Sequence, residues 1–424
     1  MIIYKEEYKI LLPKMIEVKQ EFQKYLIDNI RNSLLTHLSQ KAISSKIKPG
    51  MSIVIGIGSR GISHILEITK ILIDQLKKYG ANLFIVPAMG SHGGATPHGQ
   101  GAILASYGIT EKELGIPIKC SMETVKIGNT IEGIPIYFDK NAFLADGIIP
   151  INKINVHGDF RGEIESGIIK MLVIGFGKHE GATSIHSLGV DNFHHIIPRV
   201  GSIILEKLPV VFGIACLEDA FNNIAELNVV IPEEMISEEK RMLKCFKKIM
   251  AKIQIPEIDV LIVDEIGKNI SGDGLDVNIV GRFAGKQKND IKAPAIKKIV
   301  VLNLTKETEG NACGIGYADI TTKKLFDNID FKKTYTNAIT SGVLEAIKIP
   351  LISTNEREAI KLAVGITNNL DPSKAKIVRI KNTLKLEKII VSESICKEIR
   401  SQKYFTLSDL LQEMEFDQNG NLLN

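Results

Sequence analysis

Apolar and polar positions alternate along this chain in two distinct periods. "KPGMSIVIGIG" (48–58) is a turn followed by an unbroken apolar run, the pattern of a strand buried on both faces. "ISHILEITKILIDQLKKYG" (62–80) places apolar residues three and four apart, which predicts an amphipathic helix closed by Gly80. "ANLFIVPAMG" (81–90) reads as the next strand. Strand, loop, helix and strand in this order form a βαβ crossover, and so imply a parallel sheet. "GIPIYF", "DGIIPIN" and "LPVVFGIAC" add strand candidates. Residues 14–47 carry apolar positions at helical intervals and are expected to be helical. A charged amphipathic helix over about residues 233–253 leads into "EIDVLIVDEIG", which opens a second α/β unit. "KKIVVLNL" and "KAKIVRIKN" supply further strands to it. The expected fold is therefore α/β, with two Rossmann-like domains of mostly parallel sheets facing each other across a cleft. The domains are placed at residues 1–250 and 251–424, and the polar end "EFDQNGNLLN" is expected to fray.

Composition narrows the class. A length of 424 residues suits two domains. A hydrophobic share of 44% with 24% charged residues is that of a soluble globular protein. The net charge of +4 comes without a basic run, so nucleic acid is not an expected partner. No uncharged apolar stretch is long enough for a membrane span. The charged start "MIIYKEEYKILLPK" lacks a signal-peptide core, and the five scattered cysteines form no C-x-x-C pair. Both features point to a reducing cytoplasm. All nine histidines fall between His37 and His195, which confines histidine chemistry to the first half.

Three segments carry candidate chemistry. "SIVIGIGSRGIS" (52–63) holds Gly56, Gly58 and Gly61 in G-x-G-x-x-G spacing. Such a loop lets backbone N–H groups approach an anion, and Ser59 and Arg60 add side-chain donors. A dinucleotide site also needs an acidic residue at the end of the following strand, but that strand ends "IVPAMGSHGG". The NAD reading thereby loses its second element, and another phosphate or a plain packing turn stands ahead of it. In "PAMGSHGGATPHGQ" (87–100), His92 lies among glycines at a strand's carboxyl end, which suits acid–base work, while His98 reads as a capping or surface residue. In the third segment His157 again follows a strand, flanked by Asp159 and Arg161, and "ESGIIKMLVIGFGK" (165–178) sets Lys170 in an apolar run. A buried lysine has a depressed pKa and can act as a nucleophile or attachment point; an unburied one simply snorkels. His186 stands sixteen positions after Lys170.

Taken in order, strand–"GSRG", "GSHGG", a strand-end His, "SG-x-x-K-x-x-x-x-G" and a His sixteen residues past that Lys resemble the nickel-dependent lactate racemase family. The likeness covers residues 50–200. It implies a nickel pincer nucleotide cofactor, a modified pyridinium mononucleotide. By the resemblance Lys170 carries that cofactor, His186 supplies the metal ligand, and His92 and His157 are the catalytic bases. Arg60, with Ser59, Gly58 and Gly61, would lie at the cofactor phosphate. A mononucleotide has no second ribose, so the missing acidic residue is no anomaly. The activity implied is racemisation or epimerisation of a 2-hydroxyacid at C2, with 1–250 as the cofactor-binding and catalytic domain. Partners would be that small substrate and the enzymes that build the cofactor, with self-association left open. Ile57 replaces the acidic residue found three positions before the loop arginine in lactate racemases proper, the His92 loop lacks their threonine, and the His157–Lys170 interval is longer. These departures imply a 2-hydroxyacid other than lactate. Lys268, in "DEIGKNISGDG", and Arg161 are candidate partners of the substrate carboxylate.

Three alternatives stand beside this reading. A sugar-acid C2 epimerase would use the same residues in a more polar pocket. A hydrolase could hold zinc through His92, His157 and His186. A non-catalytic nucleotide-binding protein would need only the glycine loop.

Overall fold

A computed structural model describes residues 10–283 and 285–423 of the chain. The first nine residues of the charged N-terminal stretch lie outside the described residues. The described chain divides into two compact units. One comprises Lys24–Met250 and Gly285–Lys288; the other takes the remaining described segments. Among the described residues no helix is long and apolar enough to cross a membrane.

The unit formed mainly by Lys24–Met250 is built on a five-stranded sheet. Its order is Asn82–Pro87, Ser52–Ile57, Gly147–Lys153, Gly213–Glu218 and Ile224–Val230. The first four strands run parallel and the last is antiparallel. Parallel strands covered on both faces should be apolar throughout, and Ile53, Val54, Ile55 and Ile57 are all buried. The crossover helix Ile65–Lys78 packs Ile68, Ile71, Leu72 and Leu76 into the core of this unit. The chain runs from the Ser52–Ile57 strand outward to Asn82–Pro87, then returns to the other side at Gly147–Lys153. The order thus reverses between Ser52–Ile57 and Gly147–Lys153, and open α/β sheets bind ligands at such a reversal. "GIPIYF" does not join this sheet: Pro135–Asp139 forms an antiparallel ribbon with Thr124–Asn129.

The other unit contains an eight-stranded sheet. Leu351–Ser353, Ile320–Thr322, Ala295–Leu304, Glu257–Ile266 and Ile377–Ile380 run parallel. Lys388–Ser392, Met15–Gln20 and Phe405–Leu407 follow in antiparallel order. The expectation of helix over residues 14–47 is corrected here. Met15–Gln20 is a strand, and helices form only at Ile30–Leu38 and Lys41–Ser44. The reason is pairing with strands almost 400 residues away in sequence, which overrides weak local periodicity. Buried Gln20 completes the pairing by donating to the Leu386 carbonyl at 2.6 Å. The polar C-terminal segment is also docked rather than frayed. Leu422 donates to Glu356 at 2.7 Å, and the Arg357 amide donates to the Gly420 carbonyl at 2.9 Å.

Candidate functional site

Three loops leave the carboxyl ends of neighbouring parallel strands in the Lys24–Met250 unit. They carry Arg60, His92 and His157. The strand pairing therefore brings together groups up to about a hundred residues apart in sequence.

The His157 loop is held by its backbone. The His157 amide donates to Glu165 at 2.8 Å and its carbonyl accepts from Arg161 at 2.6 Å. Arg161 and Glu165 are both buried, and Lys247 completes the cluster 2.9 Å from Glu165. Arg161 thus scaffolds the loop, with further bonds to the Phe160 carbonyl and to Glu165. The imidazole makes contacts separate from these backbone bonds. Its Nδ1 accepts the Asp159 amide at 3.1 Å, and the Asp159 carboxylate lies 3.8 Å from the same nitrogen. Burial holds this histidine well below its usual range, and the positive charges of Lys170, Arg60 and Arg161, with His186 whenever it is protonated, hold it down further. The ring is therefore neutral near pH 7.

Lys170 ends a short helix, Ile168–Lys170, which runs straight into a π-helical turn at Met171–Gly175. The Phe176 amide donates to the Met171 carbonyl, five residues back, at 2.9 Å. Such turns are rare and occur often at functional sites. Helix Lys178–His186 follows. Its last residue, His186, shares Nδ1 with the Ala182 carbonyl at 2.6 Å. A carbonyl can only accept, so Nδ1 carries the proton and Nε2 keeps its lone pair, the tautomer of a metal-ligating histidine. Burial and the Lys170 charge lower the His186 pKa, against the pull of the Ala182 carbonyl, which favours the neutral form. A run of ring contacts joins the two histidines. His157 lies 4.6 Å from Phe160, Phe160 meets Phe193 edge-on at 5.6 Å, and Phe193 meets His186 edge-on at 5.0 Å.

The Lys170 helix is capped by a residue that the motif reading passed over. Glu239, buried on helix Met235–Ile249, accepts the Ile169 amide at 2.9 Å and also bonds the Ile168 amide. A Cβ at Gly167 would lie 2.3 Å from the Glu239 carboxylate, which explains the glycine in "SGIIK". Burial pushes the Glu239 carboxyl from 4.5 up to about 7. The folded protein then keeps this proton over a pH range where the unfolded chain has lost it. Stability should fall as pH rises from about 4.5 to about 7, by about 3 kcal/mol in all, and level off above. Glu239→Gln should flatten that part of the profile and be the more stable protein at pH 8, as read by urea unfolding across pH. An unchanged slope would show that Glu239 is ionised in the fold.

The glycine loop differs from its sequence reading in two ways. Gly56 lies inside the strand, where a Cβ would come within 2.1 Å of the Phe176 ring, so this glycine is demanded by packing. The following helix begins only at Ile65, after His64 in a left-handed conformation. The Gly58–Gly61 amides are therefore loop amides rather than helix first-turn amides, and the Ser63 amide donates to Glu218 at 2.6 Å. Gly58 abuts the Met171 methyl, where a Cβ would sit 3.0 Å away, and Gly61 faces Tyr107. The Tyr107 hydroxyl donates to the Ser59 carbonyl at 2.6 Å, which fixes the loop below exposed Arg60. Ile57 is buried in the core, so no side chain from that position accompanies Arg60.

His92 is exposed, and its loop is tied back by the Gly90 amide, which donates to the Gly175 carbonyl of the π-helical turn at 3.0 Å. His98 is exposed in the first turn of helix Pro97–Ser106, and the cap there is Thr96. Lys268 belongs to the other unit, where its ammonium donates to the Gly272 carbonyl. Glu239 and Asp139 lie beyond the quoted segments, and Glu165, Lys178 and Gln100 lie within them without having been singled out. Glu239 had a readable signal: it falls in helical register with buried Met235, Met242 and Leu243.

Known proteins resemble this chain in its N-terminal segment and in its fold. The lactate racemase N-terminal domain family matches residues 2–194. The fold is similar to that of the lactate racemase apoprotein from Thermoanaerobacterium thermosaccharolyticum, with a TM-score of 0.52 and 15% identity over 88% of this chain and 99% of that one. A protein from Thermotoga maritima is similar at a TM-score of 0.51 and 14% identity, over 86% of this chain and 99% of the other. No curated protein sequence matches the chain. At these identities the solved structures speak for the fold alone, and the family match places a lactate racemase N-terminal domain at residues 2–194 of this chain.

Proposed function

We propose that the protein is a racemase or epimerase acting at C2 of a 2-hydroxyacid, with a nickel pincer nucleotide as cofactor and His92 and His157 as its acid–base groups. The observation that carries this reading is that Lys170, His186 and Arg60 lie near enough to the largely buried His157 to lower its pKa and keep its ring neutral. The donor set suits the cofactor. Three cationic or donor groups in one place favour an anionic nucleotide, and His186 offers one metal-binding nitrogen on a rigid helix end. Among the described residues no three His, Cys, Asp or Glu side chains converge, so the zinc-hydrolase alternative lacks a ligand set. Lys170 would hold the cofactor covalently, His186 would ligate its nickel, and Arg60 and Ser59 with the Gly58 and Gly61 amides would receive its phosphate. When bound, the cofactor supplies a hydride acceptor, which spares the protein the removal of a weakly acidic C2 proton.

The chain's own residues then handle the hydroxyl proton. With Nδ1 accepting the Asp159 amide, neutral His157 carries its proton on Nε2 and donates there. In the other tautomer Nδ1–H faces the Asp159 carboxylate, and Nε2 is able to accept. The ring thus has a partner in each state that an alternating acid and base must visit. His92, on a separate loop, would serve the opposite enantiomer. The substrate and the cofactor-building enzymes are the expected partners, in a reducing cytoplasm.

Intact mass and nickel content of protein from cells that make the cofactor test the assignment. The wild type should carry an added mass and nickel. Lys170→Arg keeps the charge but removes the primary amine, and should show no added mass while folding normally. Zinc in place of nickel, with Lys170→Arg indistinguishable from wild type, would overturn the proposal.

A further inference from the structure

Lys178 opens the helix that ends in His186, and its backbone is left-handed at φ +53°. That conformation is uncommon for a residue with a Cβ. The side chain is wholly buried. Its ammonium lies 3.0 Å from the equally buried Asp139 carboxylate and donates to the Pro87 carbonyl at 2.5 Å. Pro87 ends the strand that leads into the His92 loop. The same ammonium lies 3.5 Å from the Gln100 amide oxygen. Gln100, also buried, donates to the Gly90 carbonyl at 2.9 Å and to the carbonyl of His92 itself at 3.2 Å. Asp139 is fixed in turn, since its second oxygen accepts the Ala142 amide at 2.8 Å. Buried ion pairs are often no more stabilising than apolar residues of similar volume. Stability alone therefore gives no reason for this one, whereas the carbonyls it binds do.

We infer that Lys178 is a positioning residue that fixes the His92 loop against the helix bearing His186, through Pro87 and Gln100. That His92 is an acid–base group rests on the function proposed above; the positioning does not. Amide hydrogen exchange on the cofactor-free chain tests it without any assay of turnover. Two variants are needed. Lys178→Met/Asp139→Leu removes both buried charges together, and Gln100→Leu leaves the ion pair in place. In both, the bonded amides of Gly90, His92 and Ala95 should exchange roughly tenfold faster, the scale of a lost hydrogen-bond contact. Amides of the Ser52–Ile57 strand and the Phe193–Lys207 helix should keep their wild-type rates. Wild-type exchange in the loop of Gln100→Leu would overturn the inference. So would a uniform acceleration across all segments in either variant, which is the mark of a merely structural role. Should the double variant fail to fold, Gln100→Leu decides alone. A protein that proved not to be a racemase would leave this result untouched.

Discussion

His157→Ala and His92→Ala are each expected to lower racemisation of the 2-hydroxyacid substrate by roughly 10² or more, the usual contribution of a positioned proton-transfer group. Neither change should unfold the protein. The His157 loop is held by backbone bonds to Glu165 and Arg161 that do not involve the imidazole, and His92 is exposed. Circular dichroism and unfolding midpoints should therefore stay near wild type while turnover falls. Enantiomers are of equal free energy, so kcat/KM must drop equally in both directions. The two histidines are told apart only by single-turnover C2–H cleavage from each enantiomer, where each variant should be impaired mainly with one. Full activity in both variants would rule out the two-base scheme. Asp159→Asn is a useful companion. It removes the carboxylate that faces Nδ1 in the protonated ring but keeps the Asp159 amide contact, and it should fall between wild type and His157→Ala.

His186→Ala should leave protein from cofactor-making cells with little nickel. Losing an outer-shell partner of a metal ligand already costs about 10–100-fold in affinity, and loss of the ligand itself should cost at least as much. The residue ends its helix, with Nδ1 held by Ala182 and one ring face toward Phe193. Among the described residues no group of three or more His, Cys, Asp or Glu side chains could hold a metal ion in its place. His179→Ala is the matched control. It lies on the same helix two turns earlier and is exposed, and it should keep its nickel. Elemental analysis normalised to protein reads both. Equal nickel in His186→Ala and wild type would remove His186 from the metal site.

The sequence by itself determined the local units and the candidate side chains they carry. The run "SIVIGIG", the periodic helix to Lys78 and the strand "NLFIVP" form as read, because a continuous apolar run and a three-to-four spacing each admit one regular element when one or both faces must be buried. Strand-end placement then puts Arg60, His92 and His157 at one sheet edge, a consequence of parallel pairing alone. The spacing from Lys170 to His186 spans one short helix, a π-helical turn and one longer helix, so those two positions are also fixed locally.

Tertiary structure decided whatever depends on partners distant in sequence. Met15–Gln20 is a strand because Lys388–Ser392 and Phe405–Leu407 flank it, and nothing within residues 14–47 encodes those neighbours. Gly56 is required by Phe176, which lies 120 positions further on. Glu239 caps the Lys170 helix from the far side of the Gly213–Glu218 strand in sequence, and Lys178 reaches Pro87, Gln100 and Asp139 from three other segments. A charged residue inside an apolar pattern can be read from the chain. Its partner cannot, because a buried charge is satisfied by whichever opposite group the fold brings within about 3 Å, and that distance is set only when the layers pack.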